Sequence, residues 1–496
     1  MVKHAAGALM QTFAAADSGG DRRAGVYRAV VDAILDGRLA PGTRLPSARQ
    51  LASEWKLARG VVDEAFARLQ DEGLLLRRVG DGSYVAYPLP RPLPRPLSPP
   101  SAAPQAPQPT AEHPPPRWRP PAPLPLLHPL SWPQADFPLA TWRRAVAAAL
   151  SEEQRESLGP GAPAGLPALR EAIARHLALT RSVRCAPYQV VVFDSTQQAL
   201  ETVARVLLRP GDRVWVEDPG PPGLARLFEM LHLRVVGVPL DAQGLQVAWG
   251  RERASDAALA CLHPLTQQPL GQRTSARRGA ELLQWAEQRG AWIVEGCCND
   301  EIVYSGPAPP ALQSRDSHGR VLLLGSFDGV MFPSLRVAYL VLPEPLVDAM
   351  VAARGLLGDH TAATTQHALA GFIADGHLAA HLRQLRATCG ARRAALLAAV
   401  QRWLPPEVQP GPTETGLHAC LHLPPHWPDV QVAAAVQRRG VGAEPLSSRC
   451  WQAGGLNGLI VGYGQSSPIE IDAAVRQLAS VIDELQRQRI LPIARA

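Results

Sequence analysis

Lysine is almost missing from this chain. Of its 496 residues only Lys3 and Lys56 carry a side-chain primary amine, and both lie near the N-terminus. From Pro88 to Ala496 no side chain can form an imine with a carbonyl compound, so chemistry of that kind is excluded there. The other 48 of the 50 basic residues are arginines, a bias that beside abundant Ala and Pro fits a GC-rich genome. The net charge of +6 is mild for this length, so bulk charge announces no nucleic-acid partner. Metal-type C-x-x-C spacing is absent. The seven cysteines (185, 261, 297, 298, 389, 420, 450) are odd in number and fit reduced, buried thiols in a cytoplasmic protein. The vicinal Cys297-Cys298 reads as filler at a strand end. No apolar run reaches the roughly 18 residues of a membrane span. The start, MVKHAAGALMQTFAAADSGG, imitates a signal peptide only faintly. Gln11-Thr12 interrupts its short apolar core, so residues 1–20 are expected to be a disordered lead-in.

With 46% apolar residues there is material for large cores, and the length suggests roughly two to four domains. Residues 21–87 open on an amphipathic helix with Val26, Val30, Ala33 and Ile34 at helical spacing. Pro41-Gly42 marks a turn. Ser47 is a good N-cap for a helix whose stripe is Leu51, Ala52 and Trp55. A further helix over about Ala58–Glu72 buries Val61, Val62, Ala65, Phe66 and Leu69, leaving Arg59, Gly60, Asp63, Glu64 and Arg68 outward. Two short strands, Leu74–Arg78 and Ser83–Ala86, flank the hairpin signal Gly80-Asp81-Gly82.

Helix, helix-turn-helix and β-wing is the layout of a DNA reader. On Leu45-Pro46-Ser47, Arg49, Leu51-Ala52, Arg59, Leu69, Glu72-Gly73 and Gly80-x-Gly82, the segment resembles the GntR family of bacterial regulators. The resemblance implies that Arg49 and Arg59 contact DNA and that the wing glycines bring backbone into the minor groove. The candidate DNA-facing set is Ser47, Arg49, Arg59, Gly60, Glu64, Arg68, Gly80, Gly82 and Ser83. The segment departs from the family at Ala58, where Ser or Thr is usual, at Val61 for Thr, and at Glu64 for Arg. Glu64 repels phosphate, though a glutamate can accept from cytosine N4. Eleven Arg/Lys against nine Asp/Glu is a weak surplus for a DNA-binding segment.

Residues 88–127 hold 17 prolines in 40 positions, which predicts an extended, semi-rigid linker rising about 3.1 Å per residue where it is polyproline II. From 128 onward strands and helices alternate. Val190–Phe193, Arg213–Glu217, Val235–Pro239, Ala257–Cys261, Ala291–Glu295, Val321–Leu324 and Val337–Val341 read as strands. That order predicts a mostly parallel sheet with helices on both faces and a site at the strand C-termini. Strands near Leu417–Leu421, Val441–Glu444 and Leu459–Tyr463 with a helix over Ile469–Leu485 predict a small α/β subdomain. The division expected is about 128–395 and 396–496. His418 and His422 lack further ligands for a metal and are read as structural.

This segment resembles the fold-type I aminotransferases, and the whole chain the MocR subgroup of GntR regulators. The residues that carry it are Gly165-Leu166-x-x-Leu169-Arg170, Ser195-Thr196-Gln197-Gln198-Ala199, Glu217-Asp218-Pro219-Gly220, Gln267-x-Pro269-x-Gly271 and Phe332-Pro333-x-x-Arg336, in order and at matching spacing. The resemblance implies a pyridoxal-phosphate (PLP) site. Ser195, Thr196, Gln197 and Arg336 match its phosphate cup, where free N–H groups and a helix dipole favour an anion. Four other elements are gone. The Schiff-base lysine is Gly329, the carboxylate on the pyridine nitrogen is Gly296, the following tyrosine is Cys298, and the stacking aromatic is Pro221. Asp300 is too far along to replace the carboxylate.

The expectation is therefore a transcriptional regulator that binds double-stranded operator DNA as a homodimer. Its aminotransferase-like domain would be catalytically inactive, without PLP, and would serve dimerisation and sensing of a small anionic effector. The alternatives are a working aminotransferase, which the lysine count opposes, and a protein-interaction subunit with degenerate DNA binding. By the MocR resemblance each DNA-reading domain would sit over the partner's large domain, a distance the linker can span.

Overall fold

The computed structural model describes residues 22–78, 80–87, 124–151, 159–297, 300–451 and 455–488. The lead-in 1–20, most of the expected linker and Cys298 lie outside them. The chain divides into two compact units, 1–110 and 111–496.

In the first unit, helices Arg22–Leu35, Ala48–Glu54 and Arg59–Asp71 precede a hairpin of β1 (Leu75–Arg78) and β2 (Gly82–Val85). Val26, Val30, Leu51, Phe66 and Leu69 meet in one core, each 1% exposed or less. Val61 is only half-buried, at the margin of that core. Arg78 pairs with Gly82, and a bridge from Arg44 to Tyr84 adds a third strand contact that the sequence pattern had not suggested.

The second unit is built on an eight-stranded sheet in the order β3-β10-β9-β8-β7-β4-β5-β6. Its strands are β3 (Val190–Phe193), β4 (Arg213–Asp218), β5 (Arg234–Asp241), β6 (Gly244–Leu245), β7 (Leu259–Leu262), β8 (Trp292–Cys297), β9 (Val321–Ser326) and β10 (Ala338–Val341). β4, β5, β7, β8 and β9 run parallel, while β10 is antiparallel to both β3 and β9. Unbroken apolar runs such as Val190–Phe193 belong to strands covered on both faces, as these are. Trp215 on β4 stacks on Trp285 of the helix Ala276–Arg289 at 4.0 Å and 17°, which ties one helical layer to the sheet. Gly165 shows why glycine stands at the first shared motif. Its φ is +95°, and an added Cβ would lie 2.6 Å from Val192 Cγ2.

A four-stranded antiparallel sheet, β11 (Gln409–Pro410), β12 (His418–His422), β13 (Glu444–Pro445) and β14 (Gly458–Gly462), forms the C-terminal part with the helix Pro468–Arg487. Leu126 bridges to Val441, and Leu127 is fully buried in this subdomain's core. Both residues had been read as the end of the linker. They are drawn in because Gly442 N–H and Gly462 N–H donate to their carbonyls at 2.7 and 2.8 Å.

Candidate functional site

Two places carry candidate chemistry. On the first unit Ser47 caps its helix, its Oγ accepting from Gln50 N–H at 3.2 Å. Ala58 begins the helix Arg59–Asp71 with no side-chain cap, so its first amides remain open to an outside acceptor. Arg49 and Gly60 are exposed, and Arg49 forms no ion pair among the described residues. Arg59 is exposed but its Nε donates to Asp63 at 3.2 Å. Glu64 is exposed on the same face.

Arg68 is exposed and is also engaged within its own unit. Its guanidinium lies 4.0 Å from the Tyr27 ring centre and donates to Glu72 at 3.0 Å, and the Tyr27 hydroxyl also donates to Glu72. The Glu72 carboxyl is held below its usual range by the Tyr27 hydroxyl and by Arg68. In the wing Gly80 (φ +77°) and Gly82 (φ +117°) take the left-handed backbone, and Ser83 is half-buried, its carbonyl taking Leu45 N–H at 2.8 Å. Three arginines that sequence reasoning missed gather here. Arg44 donates to the Asp81 carbonyl, Arg77 reaches Asp63 at 3.2 Å, and Arg78 lies over the Tyr84 ring at 4.9 Å. Arg77-Arg78 directly before the hairpin glycines was the available signal.

On the second unit the loops after β3, β4, β7, β8 and β9 emerge at one edge of the sheet. Ser195 caps the helix Thr196–Leu207, its Oγ taking Gln198 N–H at 3.1 Å; Thr196 is half-buried and Gln197 exposed. Ala338 pairs with both Phe193 and Ser326. Two residues before Ala338, Arg336 interacts with Asp328. Arg336 is exposed, adopts φ +57°, and forms no ion pair among the described residues. Burial pushes the Asp328 carboxyl up, against the pull of Val337 N–H and of Arg336. Asp328 also ties the turn together, with its N–H on Ser326 Oγ at 3.1 Å. Gly329 is half-buried in that turn.

The floor of the pocket is closed. Gly296 faces His263, whose ring is so near that an added Cβ would lie 2.6 Å from Cδ2 and from Nε2. His263 Nδ1 is 3.0 Å from Glu217 Oε2, and both residues are buried. Gln267 Nε2 donates to the Pro219 carbonyl at 2.8 Å, and Asp218 Oδ1 accepts Trp451 N–H at 2.7 Å. Beside Pro221 a cavity of about 70 Å³ remains, lined in part by Trp132, Leu417 and Arg449. The Arg449 guanidinium is already paired with Glu444. Thus an imidazole stands against Gly296, where the resemblance expects a carboxylate. Asp300, four residues past Gly296, turns away to pair with Arg181.

Residues 22–85 match a family described as bacterial regulatory proteins, gntR family, and residues 130–449 match aminotransferase class I and II. The chain is 30% identical to the probable rhizopine catabolism regulatory protein MocR of Rhizobium meliloti, over 95% of this chain and 96% of that protein. It is 30% identical to the pyridoxine biosynthesis transcriptional regulator PdxR of Corynebacterium glutamicum, covering 87% and 89% respectively. With the transcriptional regulator TauR of Rhodobacter capsulatus it shares 31%, over 75% and 78%. Among solved structures, the multiple substrate aminotransferase of Thermococcus profundus superposes with a TM-score of 0.67 at 24% identity, over 74% of this chain and 91% of that one. An archaeal alanine:glyoxylate aminotransferase gives 0.69 at 23% identity, over 73% and 91%. These structural likenesses establish the fold.

Proposed function

The chain belongs to the MocR-type GntR regulators, a winged helix-turn-helix joined to an aminotransferase-fold domain, and we propose that it controls transcription without catalysing transamination. It is a DNA-binding transcriptional regulator. In our reading Arg49, the uncapped start of the helix Arg59–Asp71, and the Gly80–Ser83 wing meet operator DNA. Arg49 is the leading phosphate or base contact because no internal carboxylate holds it. Two copies read two half-sites, with the aminotransferase-fold domains forming the dimer in the cytoplasm.

The fold is of the PLP-dependent type, and PLP fits these residues poorly. The observation that carries this is His263 against Gly296, together with the lack of any lysine beyond residue 56. A carboxylate at 296 would need the volume the imidazole fills, and a pyridine nitrogen there would meet His263 instead of an acid. What supports a small anionic effector is the N-terminus of the helix that Ser195 caps, together with Arg336, which is exposed and forms no ion pair among the described residues. Such an effector acts by binding one domain arrangement more tightly than another. Genome-wide mapping of bound sites, in cells with and without the protein, tests the regulator reading. A set of protein-dependent sites sharing a repeated half-site supports it, and an absence of enriched sites overturns it.

A further inference from the structure

Beside the end of β8 lies a second space that the regulator reading does not use. Its volume is about 220 Å³, and it is bounded by the helix Pro167–Arg181, the end of β8, the segment 300–308, Tyr339 on β10 and Arg386. Cavities somewhat smaller than this accept a benzene-sized guest, so a molecule of up to about ten non-hydrogen atoms fits. One side is apolar, with Leu177, Val303 and Ala308. The other side is charged, with Arg181, Arg386, Asp300 and Glu301. Asp300 is 2% exposed, its Oδ2 is paired with Arg181, and its Oδ1 is enclosed with no hydrogen-bond partner among the described residues. Glu301 Oε2 is enclosed and unpartnered in the same way.

The two guanidiniums and two carboxyls that line the cavity, Arg181, Arg386, Asp300 and Glu301, are unequally engaged. Arg181 is matched by Asp300 and by Glu295 at 3.6 Å. Arg386 donates its Nε to the Glu301 backbone carbonyl at 2.7 Å, so that bond leaves the Glu301 carboxyl unmatched. Of the two carboxyls that line the cavity, Asp300 is paired with Arg181, while the Glu301 carboxyl forms no ion pair among the described residues. Burial, and then the neighbouring Asp300, push the Glu301 carboxyl up to about 7, against the pull of Arg181 and Arg386. Buried acceptors left bare are costly, and a charged donor repays most where water is excluded.

We infer that this cavity is a binding site for a small organic ammonium compound, its N–H groups on Asp300 Oδ1 and Glu301 Oε2 and its carbon chain against Leu177, Val303 and Ala308. Its lining shares no residue with the Ser195–Arg336 set or with the first unit, so it stands or falls without them. The full-length protein, without DNA, is titrated with n-butylammonium chloride while its thermal midpoint is followed; n-butanol and sodium chloride at matched concentrations serve as controls. A saturable rise with the ammonium alone is expected. Glu301→Gln should weaken the apparent affinity by about tenfold, the worth of a charge-assisted hydrogen bond. Ala308→Trp, which fills the apolar end, should abolish the response. If Glu301→Gln impairs folding, Ala308→Trp still decides the matter from the uncharged side. No rise with the ammonium, an equal rise with n-butanol, or an undiminished response in Ala308→Trp would overturn the assignment.

Discussion

The imidazole of His263 and the bare backbone of Gly296 form one packing unit: the ring stands where any side chain at 296 would begin, 2.6 Å from an added Cβ. Glu217 holds the ring from the other side at 3.0 Å. Gly296→Asp alone is therefore expected to destabilise the fold by about 1–3 kcal/mol, the usual cost of overpacking. His263→Ala in the same chain should recover part of that loss, because the two positions share one space. Chemical denaturation of the two single variants and the double variant checks this, and strictly additive effects would contradict it.

PLP added to the wild-type protein is expected to give no visible absorbance band that borohydride fixes to residues 57–496. Peptide mapping after reduction should place any pyridoxyl label on Lys3, Lys56 or the terminal amine, since no other amine exists. A stoichiometric band fixed elsewhere would contradict the account.

Arg49→Ala is expected to weaken DNA binding and to lower the salt slope by about one, as for the loss of one phosphate contact. Arg68→Ala should do less to DNA affinity, because its guanidinium is occupied by Tyr27 and Glu72. Glu64→Arg should tighten non-specific binding and steepen the salt dependence. Fluorescence anisotropy across a salt titration separates the three, and equal slopes for wild type and Arg49→Ala would refute the assigned contact.

His418 lies buried on β12, and burial pushes its imidazole down to about 4, with the Pro269 carbonyl pulling the other way. The folded state therefore disfavours the proton that the unfolded chain takes up near 6.5. Its stabilising contribution is present above about pH 6.5 and is lost as pH falls toward 4, by up to roughly 3 kcal/mol. His418→Asn should show a smaller fall in unfolding free energy between pH 7 and pH 4.5 than wild type. An identical fall would show that His418 titrates freely.

Much of the fold was legible because its signals are local. Val190–Phe193 is a strand as its apolar run predicts, Ser195 and Ser47 cap helices as their type and place predict, and the hairpin forms around Gly80 and Gly82. The losses at Gly296 and Gly329 were visible as missing side chains. What replaced one of them was not, because His263 comes just past the end of β7, 46 residues after its partner Glu217, and only the sheet order brings them together. The same holds for Arg181 and Asp300, 119 residues apart, and for Arg68 on Tyr27. Leu126 and Leu127 were hidden by composition: amid prolines they read as linker, and the amides that hold their carbonyls, Gly442 and Gly462, come more than 300 residues later.

The measurement that bears most directly on the central claim is a footprint of the purified full-length protein on the DNA upstream of its own gene, at low salt and without PLP. The account predicts a protected site with two half-sites that disappears with Arg49→Ala while the fold is retained. No protection at any protein concentration, or protection that appears only when PLP is added, would contradict it.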